Sequence, residues 1–393
     1  MQNSRIFIIF SGVVLLSAGI ISYFLQPVPE KIDRFEGPIP FIYTSSINKT
    51  VRHYIETRPS RFVLLIGGPS NSGKSRLIDI LAQESIENSR LVIKLDVNAA
   101  SSIEEFAKFL KVALVEGLTN IRSSISANKI KNVNNEIDMA EESQQTVSDP
   151  KIAKLFNILE RNIDLSYQKG FSEKHIHRFF EILEAMSDNF RPIIFMHNFD
   201  KIASLGTDED PEFGSKLIKS VSAGLSRRDL YQQTVPIVLE IKNTLYLVNK
   251  TQNPIFRYFE IDHELGDVTN ELVDNAPVFN LFELRKVIKK FGAHGGSISK
   301  IFESLRYGQK IDDAIDELYQ SYKVMVKSNI AGRKEALAVV KRICDAKGTL
   351  PIGNLTDIEY IRPLFDGCVY LSKEFQIRAS NRAVVDALCS IDA

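Results

Sequence analysis

Cysteine is scarce in this chain, and net charge is missing altogether. Only Cys344, Cys368 and Cys389 occur among 393 residues. They share no metal-ligand spacing, so they read as core thiols of a protein kept in a reducing compartment. The 49 Lys and Arg balance 49 Asp and Glu, so no global field draws the chain to nucleic acid or anionic surfaces. Histidines with ligand geometry are lacking too. His175 and His177 lie two apart on a helical pattern, which puts them on different faces.

The first 29 residues hold no Asp or Glu, and Ile6 to Leu25 holds no charge of either sign. At about 1.5 Å per residue that run is about 30 Å long, enough to cross a bilayer. We read residues 1–30 as an uncleaved single-span anchor. A cleaved signal peptide is the alternative, since Ser17-Ala18-Gly19 offers small residues, but such apolar regions are usually about 7–15 residues long. Arg5 before the run and Lys31 and Arg34 after it leave the positive-inside balance close to even. One arginine without acidic neighbours also leaves a mitochondrial presequence open. Pro27, Pro29, Pro38 and Pro40 then mark a stiff stalk, and a short helix around Ile47–Ile55 closes a segment over 31–60.

What the chain does have is a P-loop. Gly68-Pro69-Ser70-Asn71-Ser72-Gly73-Lys74-Ser75 fits G-x-x-x-x-G-K-[ST]. The apolar run Phe62–Ile66 before it reads as a buried strand, and Leu77, Ile78, Leu81 and Ala82 after it recur at helical spacing. A triphosphate binds where backbone N–H groups converge at a helix start. Gly68 and Gly73 allow close approach, Lys74 reaches the β- and γ-phosphates, and Ser75 offers a hydroxyl to Mg²⁺. The candidate nucleotide-binding set is therefore Gly68, Pro69, Ser70, Asn71, Ser72, Gly73, Lys74, Ser75 and Arg76. ATP and Mg²⁺ are the expected cofactors, which puts this domain on the cytosolic or mitochondrial-matrix side of the membrane.

Four more strands follow: Leu91–Asp96, Pro192–Met196, Ile237–Ile241 and Tyr258–Ile261. Helical patterns run through Phe106–Ala113, Ile152–Leu159 and Ile176–Leu183, and a mobile polar insertion is expected over 123–148. Strands alternating with helices imply right-handed crossovers and a mostly parallel five-stranded α/β sheet over 61–270. Ligands bind at the carboxyl ends of such strands. That places Ser75, Asp96, His197, Asn198, Asp200 and Asn243 around one site.

With these elements in order, the chain resembles the AAA+/STAND group of P-loop ATPases, particularly the archaeal-type ATPase-domain family. The P-loop, the strand end at Ile193–Asp200, the polar strand end at Asn243 and the tail carry the resemblance. It implies the sheet order 5-1-4-3-2 and a helical lid, here residues 271–310, with Lys300 or Ser297 after the Gly295-Gly296 turn facing the nucleotide. It also implies a winged-helix-like module over 311–393, with helices about Asp312–Lys327, Arg333–Lys347 and Thr356–Phe365 and wing strands at Val369–Leu371 and Phe375–Arg378. That module holds eleven Lys and Arg against twelve Asp and Glu. Its third helix carries Asp357 and Glu359, so protein contact or packing is expected of it rather than nucleic acid.

The sequence departs from this family where an acidic pair usually follows the third strand: His197 and Asn198 stand there. Imidazole is a poor Mg²⁺ ligand, and an amide cannot take a proton. Asp200 and Asp96 are the carboxylates left to consider, with Asp200 either a metal ligand alongside Ser75 or a helix N-cap. Arg257, before the fifth strand, is either an arginine finger toward a neighbouring subunit or a surface charge. The catalytic candidates are thus Asp200, Asp96, Asn198, Asn243 and Arg257.

Two functional readings follow. One is an anchored ATP-binding switch with weak hydrolysis, acting on a protein partner or its own assembly. The other is a fully active ATPase remodelling a client at the membrane. A small-molecule kinase is disfavoured by the anchor, the tail and the lack of an arginine-rich lid.

Overall fold

In the computed structural model, the residues described are 45–57, 63–101, most of 105–121, 183, 190–204, 235–241, 256–261, 268–275, 278–352, 360–372, 374 and 376–391. The expected anchor, the stalk, the 123–148 insertion, the helices around 149–182 and Asn243 lie outside them. Among the described residues no helix is long and apolar enough to cross a membrane.

Five short strands form the central sheet: β1 (Val63–Gly67), β2 (Val92–Asp96), β3 (Ile193–His197), β4 (Ile237–Glu240) and β5 (Phe256–Glu260). All neighbours are parallel, and the order is β2-β3-β4-β1-β5, the 5-1-4-3-2 arrangement the resemblance implied. The strands read as unbroken apolar runs because both faces are covered. Val63, Leu65, Ile93, Leu95, Ile194 and Leu239 pack on one side, with Leu110, Leu114 and Leu118 from the segment before residue 121. Leu64, Ile66, Val92, Ile193, Phe195 and Val238 pack on the other. That second side is covered by α1 (Ser45–Glu56) and by the P-loop helix α2 (Lys74–Glu87), through Leu77, Ile78, Leu81 and Ala82. The period-two split of each strand thus sets which helix each residue meets.

One boundary shifts. Arg257 does not precede the fifth strand: β5 begins at Phe256, so Arg257 lies inside it, exposed on an edge strand. A strand with one free edge needs less apolar sequence, so its start gave a weak signal.

Beyond the sheet, α3 (Leu281–Phe291) starts on a capping box of Asn280 and Glu283, and α4 (Gly295–Arg306) follows. Next come the 20-residue α5 (Ile311–Ile330) and α6 (Lys334–Asp345). A small antiparallel sheet closes the chain, with β6 (Thr349–Pro351), β7 (Val369–Leu371) and β8 (Gln376–Ala379) in the order β6-β8-β7. The last helix is α7 (Arg382–Cys389). β6 and α7 were not expected from the sequence, although Ala383, Val384, Ala387 and Leu388 keep helical spacing and are buried. A single apolar core joins Leu284, Phe291 and Phe302 of α3 and α4 to Leu318, Val326, Ile343 and Leu388 of the tail. The lid and the tail are therefore packed together across residue 310.

Cys344 of α6 and Cys389 of α7 are paired as a disulfide, with Cα atoms 5.5 Å apart. This corrects their reading as core thiols. Cys368 is buried and lies outside the disulfide.

Candidate functional site

The P-loop turns through left-handed backbone at Gly68 (φ 129°), Asn71 (φ 60°) and Gly73 (φ 94°). Two of these are glycine and the third is asparagine, the residues that tolerate that region. Gly73 is the N-cap of α2, so the loop's N–H groups and the positive end of the helix dipole converge there. A lysine that reaches for phosphates is expected to face solvent when none is bound, and Lys74 does not. It is only 4% exposed, and its Nζ donates to the carbonyls of Gly68 (3.1 Å) and Pro69 (2.6 Å). An ammonium that cannot reach water must find acceptors inside the protein, and the loop carbonyls supply them. Ser75 and Arg76 are exposed at the first turn of α2.

At the carboxyl ends of the strands, two polar networks form. In the first, Ser75 Oγ donates to Glu240 Oε1 at 2.8 Å, and His197 Nδ1 donates to Glu240 Oε2 at 2.6 Å. His197 Nε2 stands 3.2 Å from Asp79 Oδ1, which pairs with Lys94 at 2.5 Å. Glu240 is 1% exposed, yet both its oxygens are hydrogen-bonded, as burial of a carboxylate requires. In the second, Asp96 Oδ1 accepts from Asn198 Nδ2 (2.8 Å) and from the Asn98 N–H (2.9 Å). Asp96 thereby caps the turn after β2. Asn198 is buried in left-handed backbone at φ 54°, and its Oδ1 has no hydrogen-bond partner. Asp200 lies within the first turn of the 3₁₀ helix Phe199–Ser204, past the N-cap place considered for it, and is half-buried. The structure thus joins Asp96 to Asn198 and Ser75 to Glu240.

The lid touches the P-loop directly. His294, the N-cap of α4, donates from Nε2 to the Ser70 carbonyl at 2.8 Å. A carbonyl only accepts, so Nε2 carries the proton and Nδ1 is the acceptor for Ser297 N–H (3.1 Å) and Ser297 Oγ (2.8 Å). Ser297 Oγ in turn accepts from the Tyr322 hydroxyl at 3.0 Å. Ser297 is therefore wholly buried between His294 and Tyr322, and it does not take the nucleotide-facing place considered for it. Gly296 packs on Asn71 so closely that a Cβ would overlap it. Lys300, exposed, sits one helical turn after Gly296 on the same face of α4.

A third contact joins β5 to the terminal sheet. The Tyr258 ring lies against Gly67, where a Cβ would overlap it, and its hydroxyl donates to the Leu371 carbonyl at 3.3 Å. The Tyr370 hydroxyl donates to Glu260 Oε1 at 2.9 Å, and Arg378 Nη1 stands 3.9 Å from the same oxygen. Burial, and then the charge of Glu260, push both phenols well above their ordinary pKa, so they stay neutral donors.

Glu240, His294 and Asp79 escaped sequence reasoning. Glu240 did leave a signal, as the one charge in the apolar run Ile237–Ile241, but the more polar Lys242-Asn243 beyond it is the stronger mark of a strand end. His294 carried none, because a histidine before two glycines reads as a turn.

No protein-family model and no curated protein matches the sequence. Solved structures do. The Walker-type ATPase PABY2304 of Pyrococcus abyssi aligns at TM-score 0.54 and 12% identity, over 88% of this chain and 96% of that one. The Aeropyrum pernix ORC2 protein, in ADPNP–ADP complexes, covers 88% of this chain and 92% of its own at 11% identity, but its TM-score of 0.39 carries no weight. Likeness at 12% identity is likeness of fold, and it agrees with the strand order and the P-loop geometry. The chain shares its fold, a five-stranded parallel α/β sheet with a P-loop, with the Walker-type ATPase PABY2304 of Pyrococcus abyssi.

Proposed function

We propose that this chain binds ATP·Mg²⁺ and works as a nucleotide-driven switch with slow hydrolysis. The observation that carries the reading is that the P-loop and the strand end feeding it are held by two parts of the chain: His294 grips the Ser70 carbonyl, and Tyr258 covers Gly67 at the end of β1. Phosphates entering the loop draw Lys74 from the Gly68 and Pro69 carbonyls toward themselves. The loop backbone then readjusts under both contacts, one leading to the lid and one to the terminal sheet. A ligand shifts such an equilibrium only through contacts that differ between states, and Lys74 supplies one.

Mg²⁺ usually takes one or two protein oxygens and completes its shell with phosphates and waters. Ser75 Oγ is a hard oxygen donor at the right place in the motif and fits. The bound ion would neutralise charge on the phosphates. Slow hydrolysis is supported by what surrounds the strand ends. Asp96 is committed to Asn198 and Asn98, and His197 and Asn198 offer no free carboxylate as a base.

The terminal module, with its small antiparallel sheet on three helices, suits a winged-helix-like arrangement whose even charge favours a protein partner over nucleic acid. Arg257, exposed on the edge strand, would lie toward a neighbouring copy in a self-assembly joined at that edge. Residues 1–30 would tether the protein to a membrane. The alternative of a fully active ATPase acting on a client is favoured by one observation, the buried Glu240 beside Ser75. Equilibrium binding of ATP set against single-turnover hydrolysis separates the two. Tight binding with slow turnover supports the switch, whereas fast turnover supports the active enzyme.

A further inference from the structure

We propose that Glu240 of β4, rather than any residue of β3, supplies the carboxylate of the Mg²⁺ site, and that His197 is its positioning residue. The inference rests on the nucleotide-binding reading above and adds to it the identity of the missing acid.

Sheet register makes the placement. Ile66 of β1 pairs with Glu240, and Leu239 pairs with Met196 of β3. Glu240 therefore stands at the carboxyl edge, between the strand feeding the P-loop and His197. β4 borders β1 at one strand spacing, about 4.8 Å, while β2 is three spacings away, about 14 Å. Asp96 at the end of β2 is thus remote from the P-loop strand, besides being engaged by Asn198 and Asn98.

The hydroxyl of Ser75 has one proton and two lone pairs. Its proton goes to Glu240 Oε1 at 2.8 Å, which leaves lone pairs for a cation. A hydroxyl donating to a carboxylate is more electron-rich and binds a hard cation better. The carboxylate adds the negative charge that Mg²⁺ needs nearby. Glu240 is wholly buried, so water does not dilute that charge.

His197 explains why an imidazole occupies the end of β3. It donates to Glu240 Oε2 at 2.6 Å, and its far nitrogen faces Asp79, itself paired with Lys94. Asp79 is one turn after Ser75 on α2. The imidazole therefore bridges β4 to the P-loop helix and fixes which way the carboxylate points. Moving the acid to β4 and filling the β3 position with its orienting partner keeps one carboxylate near Ser75 without burying two like charges together.

The test uses the full-length protein in detergent, titrated with a fluorescent ATP analogue in Mg²⁺ and again in EDTA. Wild type is expected to bind more tightly with Mg²⁺. Glu240→Gln is expected to lose most of that gain, about tenfold in Kd, while affinity in EDTA stays within about threefold. Binding in EDTA also reports that the variant is folded. His197→Ala is expected to reduce the gain partly, with EDTA binding unchanged, a split that a merely structural role would not produce. Should Glu240→Gln fold poorly, Glu240→Asp keeps the charge and should keep at least part of the gain, while Asp200→Asn should keep all of it. A full Mg²⁺ gain in Glu240→Gln, or its loss in Asp200→Asn, overturns the proposal. Wild type that binds no nucleotide in either buffer overturns the nucleotide-binding reading itself, and this proposal with it.

Discussion

His294 Nε2 donates to the carbonyl of Ser70 across 2.8 Å, so the first turn of the lid is hydrogen-bonded to the middle of the P-loop. The same imidazole is fixed from behind by Ser297, and Ser297 by Tyr322 of α5. A path of oriented donors thus runs from the P-loop into the core shared by lid and tail. Its removal has a defined consequence. His294→Ala is expected to loosen the lid, raising hydrogen exchange in α4 without nucleotide and shrinking the change seen on adding ATP. Equal ATP-induced protection in variant and wild type would remove His294 from the coupling.

Lys74→Ala should weaken ATP binding by tenfold or more, because it removes the charge the loop offers to the phosphates. Its burial adds a second effect. The Gly68 and Pro69 carbonyls lose their donor, at about 1–3 kcal/mol where water cannot replace it. The variant should therefore melt a few degrees lower yet remain folded. Wild-type affinity in this variant would place the nucleotide elsewhere.

The contact between Tyr258, Tyr370 and Glu260 should be sensitive to alkali. Both phenols have folded pKa values raised above the ordinary 10.0. Folded protein then holds protons that the unfolded chain releases, so this stabilisation is complete below pH 10 and is lost as pH rises toward the folded values. Tyr258→Phe with Tyr370→Phe should flatten the stability profile above pH 10. At neutral pH it should cost about 1–3 kcal/mol, from one bond to a carbonyl and one to a carboxylate. A pair of thermal-melt series against pH checks both.

Wild-type turnover should be slow. Typical enzymes turn over about 10 times per second, and loss of a positioned base costs about 10²–10⁴-fold. Single-turnover hydrolysis is therefore expected at about 0.1 per second or less. Asp96→Asn should change it little, since Asp96 is a cap. Several turnovers per second, abolished by Asp96→Asn or Asp200→Asn, would refute slow hydrolysis and name the base.

Deleting residues 1–30 should release a soluble protein that still binds ATP, because the sheet and its P-loop are built from residue 63 onward. Carbonate extraction should leave the full-length chain in the pellet. Recovery in the supernatant would replace the anchor with a peripheral or cleaved segment.

The sequence by itself determined the elements whose signals are local. The P-loop motif spans eight residues, the buried strands are short apolar runs, and Leu77, Ile78, Leu81 and Ala82 repeat within two turns of α2. Each is legible because backbone period and side-chain pattern act over a few residues. Strand order was legible only through resemblance, since apolar runs do not say which neighbour each strand takes. Tertiary structure alone decided the contacts that make the site. Ser75 meets Glu240 across 165 positions, His294 meets Ser70 across 224, and Cys344 meets Cys389 across 45. Such partners depend on sheet register and helix packing, which place residues by their height along a strand rather than by their spacing in the chain. In sequence Glu240 is one charge within an apolar strand; only the placing of β4 between β1 and β3 buries it where a hydroxyl and an imidazole meet it.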